Sequence, residues 1–305
     1  MKRNLFIATA LATLSPVAGF SAEPDSSQPE FKVEVEAGVE YDSNVGVAEL
    51  DRNTGASDSA LLLGGNAVLE WAPIKRLTTK VGYDFSSKTY SEQSDFNLQI
   101  HRGFGEAVLD LDIVEAGVAY NHATALLDGA TFLTLQDTTL HVSRLFAKQL
   151  YVRLSAHHQD KDFETDTRRN AEADGFGGDI FWFFNQARSF IAIGGKSLEE
   201  DAVGAEFDHD ATNLKARFSH KFDFAGKEHQ LKIGWQHEAR DYDNITPSIG
   251  AVREDDRQTI SAEIETGLTE RLALVGKLQA TESDSNLPSA DYSEEIASLG
   301  VRFRF

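Results

Sequence analysis

From Phe31 onward, apolar and polar residues alternate with a period of two in segment after segment, and the three-to-four spacing of an amphipathic helix never persists. In FKVEVEAGVEY, Phe31, Val33, Val35, Ala37, Val39 and Tyr41 share one face, while Lys32, Glu34, Glu36, Gly38 and Glu40 share the other. TISAEIETGL sets Ile260, Ala262, Ile264 and Leu268 against Ser261, Glu263 and Glu265, and NLKARFSHKF sets Leu214, Ala216, Phe218 and Phe222 against Lys215, Arg217, Ser219 and Lys221. So many charges on one face need water, which a dry sandwich core does not offer. A sheet closed on itself, with hydrocarbon outside and a wetted lumen inside, satisfies both faces.

The alternation predicts strands at about 31–42, 58–71, 76–90, 95–108, 112–124, 131–146, 149–162, 171–184, 188–199, 207–223, 229–242, 256–268, 271–281 and 291–305. That is fourteen, with twelve or sixteen as the neighbouring counts. Their connections alternate in length. WAPIKR, VLDLD, FAKQ, FNQAR, FAGKEH and LTER are tight, whereas NVGVAELDRNTGASD, EQSD, ALLDGA, QDKDFETDTRRNAE, EEDAVGAE, DYDNITPSIGAVRED and TESDSNLPSAD are polar and mostly longer. An even count with short turns at one end and longer loops at the other is the pattern of a closed antiparallel transmembrane β-barrel, all-β, with periplasmic turns and extracellular loops. IFWFFN at 180–185 is apolar on both faces, as is much of FIAIGG at 190–195. These strands are expected to carry an aromatic girdle and to turn one or two rings into the lumen near the periplasmic rim.

The first residues, MKRNLFIATALATLSPVAG, place Lys2 and Arg3 before a short apolar run and then small residues, which reads as a secretory signal peptide over 1–22, cleaved between Gly19 and Ala22. Residues 23–30 then form a short periplasmic segment and 31–305 the barrel. The formal charge of −20 argues against nucleic acid as a partner. Twenty Phe residues and regular alternation do not suit a disordered acidic chain. With no cysteine, thiolate nucleophiles and Cys-based metal sites are excluded.

The ending SLGVRFRF, with Leu299, Val301, Phe303 and Phe305 on one face, resembles the C-terminal signal by which barrels are recognised for insertion into the Gram-negative outer membrane. GVEYDSNV (38–45), DSNLPSADYSEEIASLGVRFRF (284–305) and, more weakly, REDDR (253–257) resemble two related groups. These are the β-barrel porin families often found beside exopolysaccharide genes, and the barrel half of surface lipoprotein assembly modifiers. In the second group a periplasmic helical-repeat domain precedes the barrel, whereas here the signal peptide runs almost directly into the first strand. The resemblance implies an outer-membrane location, contact with lipid and lipopolysaccharide, and help from the barrel assembly machinery.

The polar face supplies the candidate pore lining: Lys32, Glu34, Glu36, Glu40, Arg153, His157, Lys215, Arg217, Lys221, Lys232, Glu263, Glu265, Lys277 and Arg302. Cations on the tenth and eleventh strands, facing carboxylates on the first and twelfth, are expected to set a transverse field across the lumen. YDSN at 41–44 and SDSN at 283–286 fall on rims expected to be neighbours, so Asp42, Asn44, Asp284, Asn286 and Asp291 are candidate oxygen ligands for Ca²⁺, or simply turn residues. His157 follows Ser155 on an inward face, His158 points outward, and His141 and Ser143 lie on the preceding strand; His229 and His237 read as rim or wall. No G-x-S-x-G or H-E-x-x-H pattern positions a nucleophile or metal, so neither an enzyme nor a cofactor is expected. DKDFETDTRRNAEAD, with Arg168 and Arg169, and ITPSIGAVREDDR are the loops expected to fold inward as a constriction or to face outward as a receptor surface.

The expected function is a porin-like channel for passive diffusion of small polar solutes or ions. An export pore for an extracellular polysaccharide or other secreted cargo is the alternative, and a closed structural or receptor barrel with binding loops is a third reading.

Overall fold

The computed structural model describes residues 28–305; the expected signal peptide and most of the short segment after it lie outside the described residues. Fourteen antiparallel strands close into one barrel: β1 (Glu30–Asp42), β2 (Asp58–Ile74), β3 (Leu77–Tyr90), β4 (Leu98–Asp110), β5 (Glu115–Leu127), β6 (Ala130–Phe146), β7 (Leu150–Phe163), β8 (Ala171–Phe184), β9 (Ser189–Ala202), β10 (His209–Phe224), β11 (Lys227–Thr246), β12 (Ala251–Gly267), β13 (Leu272–Ser285) and β14 (Tyr292–Arg304). Each strand pairs with its neighbours in sequence, and β14 returns to β1 in a register running from Glu34↔Arg304 to Asp42↔Ile296.

Turns at one end are short. Ala225–Gly226 joins β10 to β11 with φ of 51° and 74°, the doubly positive geometry that matches strand twist in a two-residue hairpin. At the other end the connections are longer on average, but less so than the sequence suggested. Asp128–Gly129 is itself a two-residue turn, and the stretches 160–174 and 245–257 are mostly strand, because β7 continues to Phe163, β8 begins at Ala171, β11 runs to Thr246 and β12 begins at Ala251. In 160–174 the carboxylates keep the period of two, and in 245–257 Glu254 and Asp256 face out while Asp255 turns inward to Arg253, so strand geometry carries them as well as a loop would. Strands of 13 to 20 residues exceed the ~9–11 needed to cross the bilayer, and the barrel wall therefore projects beyond it.

Outside, the wall has two zones. Val39, Leu61, Val81, Leu140, Leu154, Ile193, Ile260, Leu278 and Leu299 are exposed and form the apolar band. Leu299, Val301 and Phe305 belong to it, and the Phe303 and Phe305 rings meet edge to face at 4.8 Å. Above the band, outward positions of β8 to β14 carry Glu172, Asp174, Glu199, Asp201, Asp210, Asp241, Glu254, Asp256, Glu282, Asp284 and Glu295, all exposed. No lysine or arginine shares those outward positions among the described residues. Much of the chain's negative charge therefore faces bulk water around the outer mouth.

At the periplasmic end of β8, Trp182 and Phe184 face outward with ring centroids 5.2 Å apart, as a girdle pair. Phe181 and Phe183 face inward and pack with Tyr151 and Phe190 at centroid distances of 5.9 to 6.2 Å. The doubly apolar segment is thus split between lipid and lumen, as the sequence led us to expect.

Alternation sets a sharp test within β13. Lys277 points to the lumen and reaches Glu36, whereas Leu278 is 62% exposed on the lipid side. Leu278→Lys is expected to destabilise the inserted barrel by about 2–4 kcal/mol, read as a shift in the urea midpoint after refolding into liposomes; an unchanged midpoint would remove Leu278 from the lipid face.

Candidate functional site

The longest outer connection, 43–57, does not stand above the barrel but folds into its mouth. Its short hairpin pairs Gly46 with Asn53 and Val47 with Arg52. Val45 and Val47 are fully buried and join Tyr90, Phe96, Leu98, Ile100, Ala125, Phe132, Leu133 and Phe163 in the one apolar cluster that the inner wall of β3 to β7 offers near the mouth. Burial of those two valines holds the loop on that wall by roughly 1.5–3 kcal/mol each. The stem is pinned by Asn44, whose amide donates to the Ser293 carbonyl at 3.2 Å and whose Oδ1 accepts from Gly55 N–H at 2.8 Å.

The tip reaches the other side. Asp51, at φ 51°, accepts hydrogen bonds from Arg253 of β12 at 2.7 and 3.1 Å and from Arg169 of the 164–170 connection at 2.5 Å. Burial by itself would raise this carboxyl, but hydrogen bonds and charge from Arg253 and Arg169 outweigh it and hold the pKa down to about 2. The sequence singled out Arg169 and offered 160–174 and 245–257 as loops that fold inward or face outward; the loop that folds inward is 43–57, and those two stretches supply its anchors. Arg168 stays outside, paired with Asp166 and Glu206.

The candidate calcium ligands do not converge. SDSN ends β13 and not β14, so a whole strand separates it from YDSN on β1. Asp42 accepts from the Tyr90 hydroxyl at 2.6 Å and lies 3.7 Å from Lys88 Nζ, while Asn286 is engaged with the backbone of Val252 and Glu254. No group of three metal-binding carboxylates or histidines occurs among the described residues.

Beneath the loop lies a cavity of about 380 Å³ lined mainly by inward residues of β4 to β13. Eight lysine and arginine side chains line it against five carboxylates, or seven with Asp84 and Asp51, which pair with two of those cations. Six of those cations are engaged: Arg102 with Asp84, Arg153 with His141 at 3.1 Å, Lys161 with Glu200, Arg169 with Asp51, Lys215 with Asp179 at 2.8 Å and Arg240 with Glu238 at 2.7 Å. Lys196 and Arg217 line the cavity with no hydrogen bond or ion pair among the described residues. Lys196 was legible in GGKSLEE as an inward position beside Gly194 and Leu198, but two-faced apolarity nearby obscured the phase.

The facing wall behaves otherwise. Arg302 bonds Glu36 at 2.8 Å and also Glu265; Arg304 bonds Glu34 and Glu265 at 2.7 Å each; Lys232 bonds Glu263 at 2.7 Å; and Lys277 bonds Glu36. Four carboxylates and four cations thus close into one neutral network. The expected transverse field loses its negative pole, because the register brings Arg302 and Arg304 between β1 and β12. Of the other candidates, Lys32 and Lys221 sit at the periplasmic rim with Glu30 and Glu228, and Glu40 is buried against Lys88 at 2.5 Å.

His157 faces the lumen and His158 faces out, where it meets Asp174 at 3.0 Å. Ser155 Oγ lies 3.0 Å from His157 Nε2, and the other ring nitrogen lies 3.1 Å from the Thr139 hydroxyl, which donates to Asp137 at 2.8 Å. The backbone N–H groups around Ser155 belong to strand ladders, so no pair of free backbone donors faces the hydroxyl. The chain of bonds serves to fix a polar wall. His141 is buried beside Arg153, while His237 lies outside, stacked on Trp235 at 6.2 Å.

Because Asp51 has a depressed pKa, its contribution to docking the loop is complete above its free value near 3.8 and is lost as pH falls through about 2. Protection of the 43–57 amides, taken as exchange relative to the intrinsic rate at each pH, should therefore be high and flat from pH 8 to pH 4. Asp51→Ala is expected to weaken docking by about 1.5–3 kcal/mol and speed exchange at all of these values; wild-type loosening already at pH 6 would show that another group holds the tip.

No family model matches the sequence, and no curated protein matches it. Solved structures do match. A loop-deletion form of OmpT, an outer membrane protein of Vibrio cholerae, superposes with TM-score 0.52 at 10% identity, covering 91% of this chain and 99% of that one. Outer-membrane-expressed OmpT of the same organism gives 0.51 at 10%, covering 91% and 97%. An anion-selective porin from Comamonas acidovorans gives 0.50 at 11%, covering 92% and 100%. At such identities the likeness concerns the fold. With its closed fourteen-strand sheet and exposed apolar band, this chain has the fold of the Gram-negative outer-membrane β-barrels.

Proposed function

We propose that this barrel is a porin-like channel for passive diffusion of small polar solutes and ions, with a preference for anions. The observation that carries the reading is the excess of cations over carboxylates around the cavity, including the unpaired Lys196 and Arg217. A lumen with low-dielectric walls focuses the field of the charges that line it. The acidic outer surface is separated from the cavity by the wall and screened by salt over roughly 8–10 Å. That one fold neighbour is described as an anion-selective porin agrees with this sign. Conduction needs no covalent step, only a wetted passage with binding weak enough to permit exit.

Purified, refolded protein in a planar bilayer should give discrete openings, and under a salt gradient the reversal potential should take the sign of anion preference. Lys215→Glu combined with Arg217→Glu should move that potential toward cations while the barrel stays folded. Silence from a folded barrel, or cation preference in the unaltered protein, would overturn the reading.

A further inference from the structure

The inner faces of β8, β9 and β10 form a small patch that charge alone does not explain. In the middle row the register aligns Asp179, Gly194 and Lys215, and in the row nearer the periplasm it aligns Phe181, Ala192 and Arg217. A Cβ at Gly194 would lie 2.3 Å from both Asp179 Oδ1 and Lys215 Cε, so the absence of a side chain lets that ion pair lie across β9. Lys215 is thereby occupied. Arg217, on the row below, and Lys196, on the row above, remain available on either side of the pair.

The lower row is unusual for a wetted lumen. Phe181 is braced from behind by Tyr151, Phe183 and Phe190, yet it also lines the cavity. Adjacent strands lie about 4.8 Å apart, so the backbones of Phe181 and Arg217 are roughly 10 Å apart with only the Ala192 methyl between them. A fixed aromatic face at one side of a shallow gap and an unpaired guanidinium at the other are matched by a flat apolar body bearing a carboxylate. The guanidinium fork takes a carboxylate in two parallel hydrogen bonds, and the ring fills the space over Ala192 against Phe181. A bare inorganic anion would leave the apolar half of the gap unused. The cavity, at about 380 Å³, lies within the ~300–1,000 Å³ range of small-molecule sites.

We infer that this patch binds organic anions with a flat apolar body, of which aromatic carboxylates are the simplest. The inference rests on the channel reading in one respect: the ligand reaches the patch through the lumen.

The test uses the full folded barrel in detergent and isothermal titration with three probes: benzoate, acetate and benzyl alcohol. Benzoate should bind at least about tenfold more tightly than acetate, which lacks the ring, and than the alcohol, which lacks the charge. Arg217→Gln should weaken benzoate by about tenfold or more, and Phe181→Leu should remove most of the advantage over acetate, with folding checked by heat-modifiable gel mobility. Acetate or benzyl alcohol binding as tightly as benzoate, or benzoate binding that survives Arg217→Gln unchanged, would overturn the site. The probe comparison needs no variant, so a misfolded mutant does not protect the idea. Bilayer recordings on the same sample separate the two claims. Benzoate binding without conductance would sink the channel and keep the site; anion-preferring conductance without benzoate binding would do the reverse.

Discussion

Everything in this structure depends on one demand of hydrocarbon: no backbone N–H or C=O can be left without a partner there. The last strand must therefore find the first. Its register, Glu34↔Arg304 through Asp42↔Ile296, is also the register at which Arg302 and Arg304 meet Glu34, Glu36 and Glu265 inside the barrel. A slip of one residue would turn both arginines outward, where a lipid-facing charge costs about 0–1 kcal/mol near the interface and more with depth. Arg302 and Glu265 are buried, so desolvation offsets much of what their pairing contributes to stability. As a set these ion pairs oppose every odd slip, which turns both arginines outward, and an even slip keeps the arginines inward but parts them from Glu34 and Glu36.

The same closure separates two electrostatic environments that a net charge merges. Formal charge of −20 suggests a protein that repels anions, yet the outward carboxylates of β8 to β14 lie outside the wall and the seam carboxylates are neutralised where they stand. What remains in the cavity is an excess of lysine and arginine. Around the cavity lysine and arginine outnumber the lining carboxylates although the chain as a whole is acidic, and only the assignment of each residue to a face and a partner reveals it.

Alternation made the architecture legible. Strand number, turn polarity and the inward and outward sides of FKVEVEAGVEY or NLKARFSHKF follow from a period of two, because each side chain's face is a local property. Partners are not local. That Glu36 and Glu265 share Arg302 depends on which strands the closed sheet makes adjacent, over separations of 266 and 37 residues. The calcium reading failed on the same ground: YDSN and SDSN look alike in sequence, but β14 lies between them. For Lys196 the phase was present and was masked by apolar residues on both faces nearby.

The inward loop shows where periodicity carries no information at all. Residues 43–57 do not alternate, and the polar character of DRNTGASD suggests an exposed connection; the decisive residues are Val45 and Val47, which need burial just where β3 to β7 present Tyr90, Leu98, Ile100 and Leu133 to the lumen. The match is between a loop and a wall distant in sequence, and Asp51 completes it by bridging to Arg169 and Arg253. The loop thereby covers the apolar part of the mouth and spans to the opposite wall at Arg253.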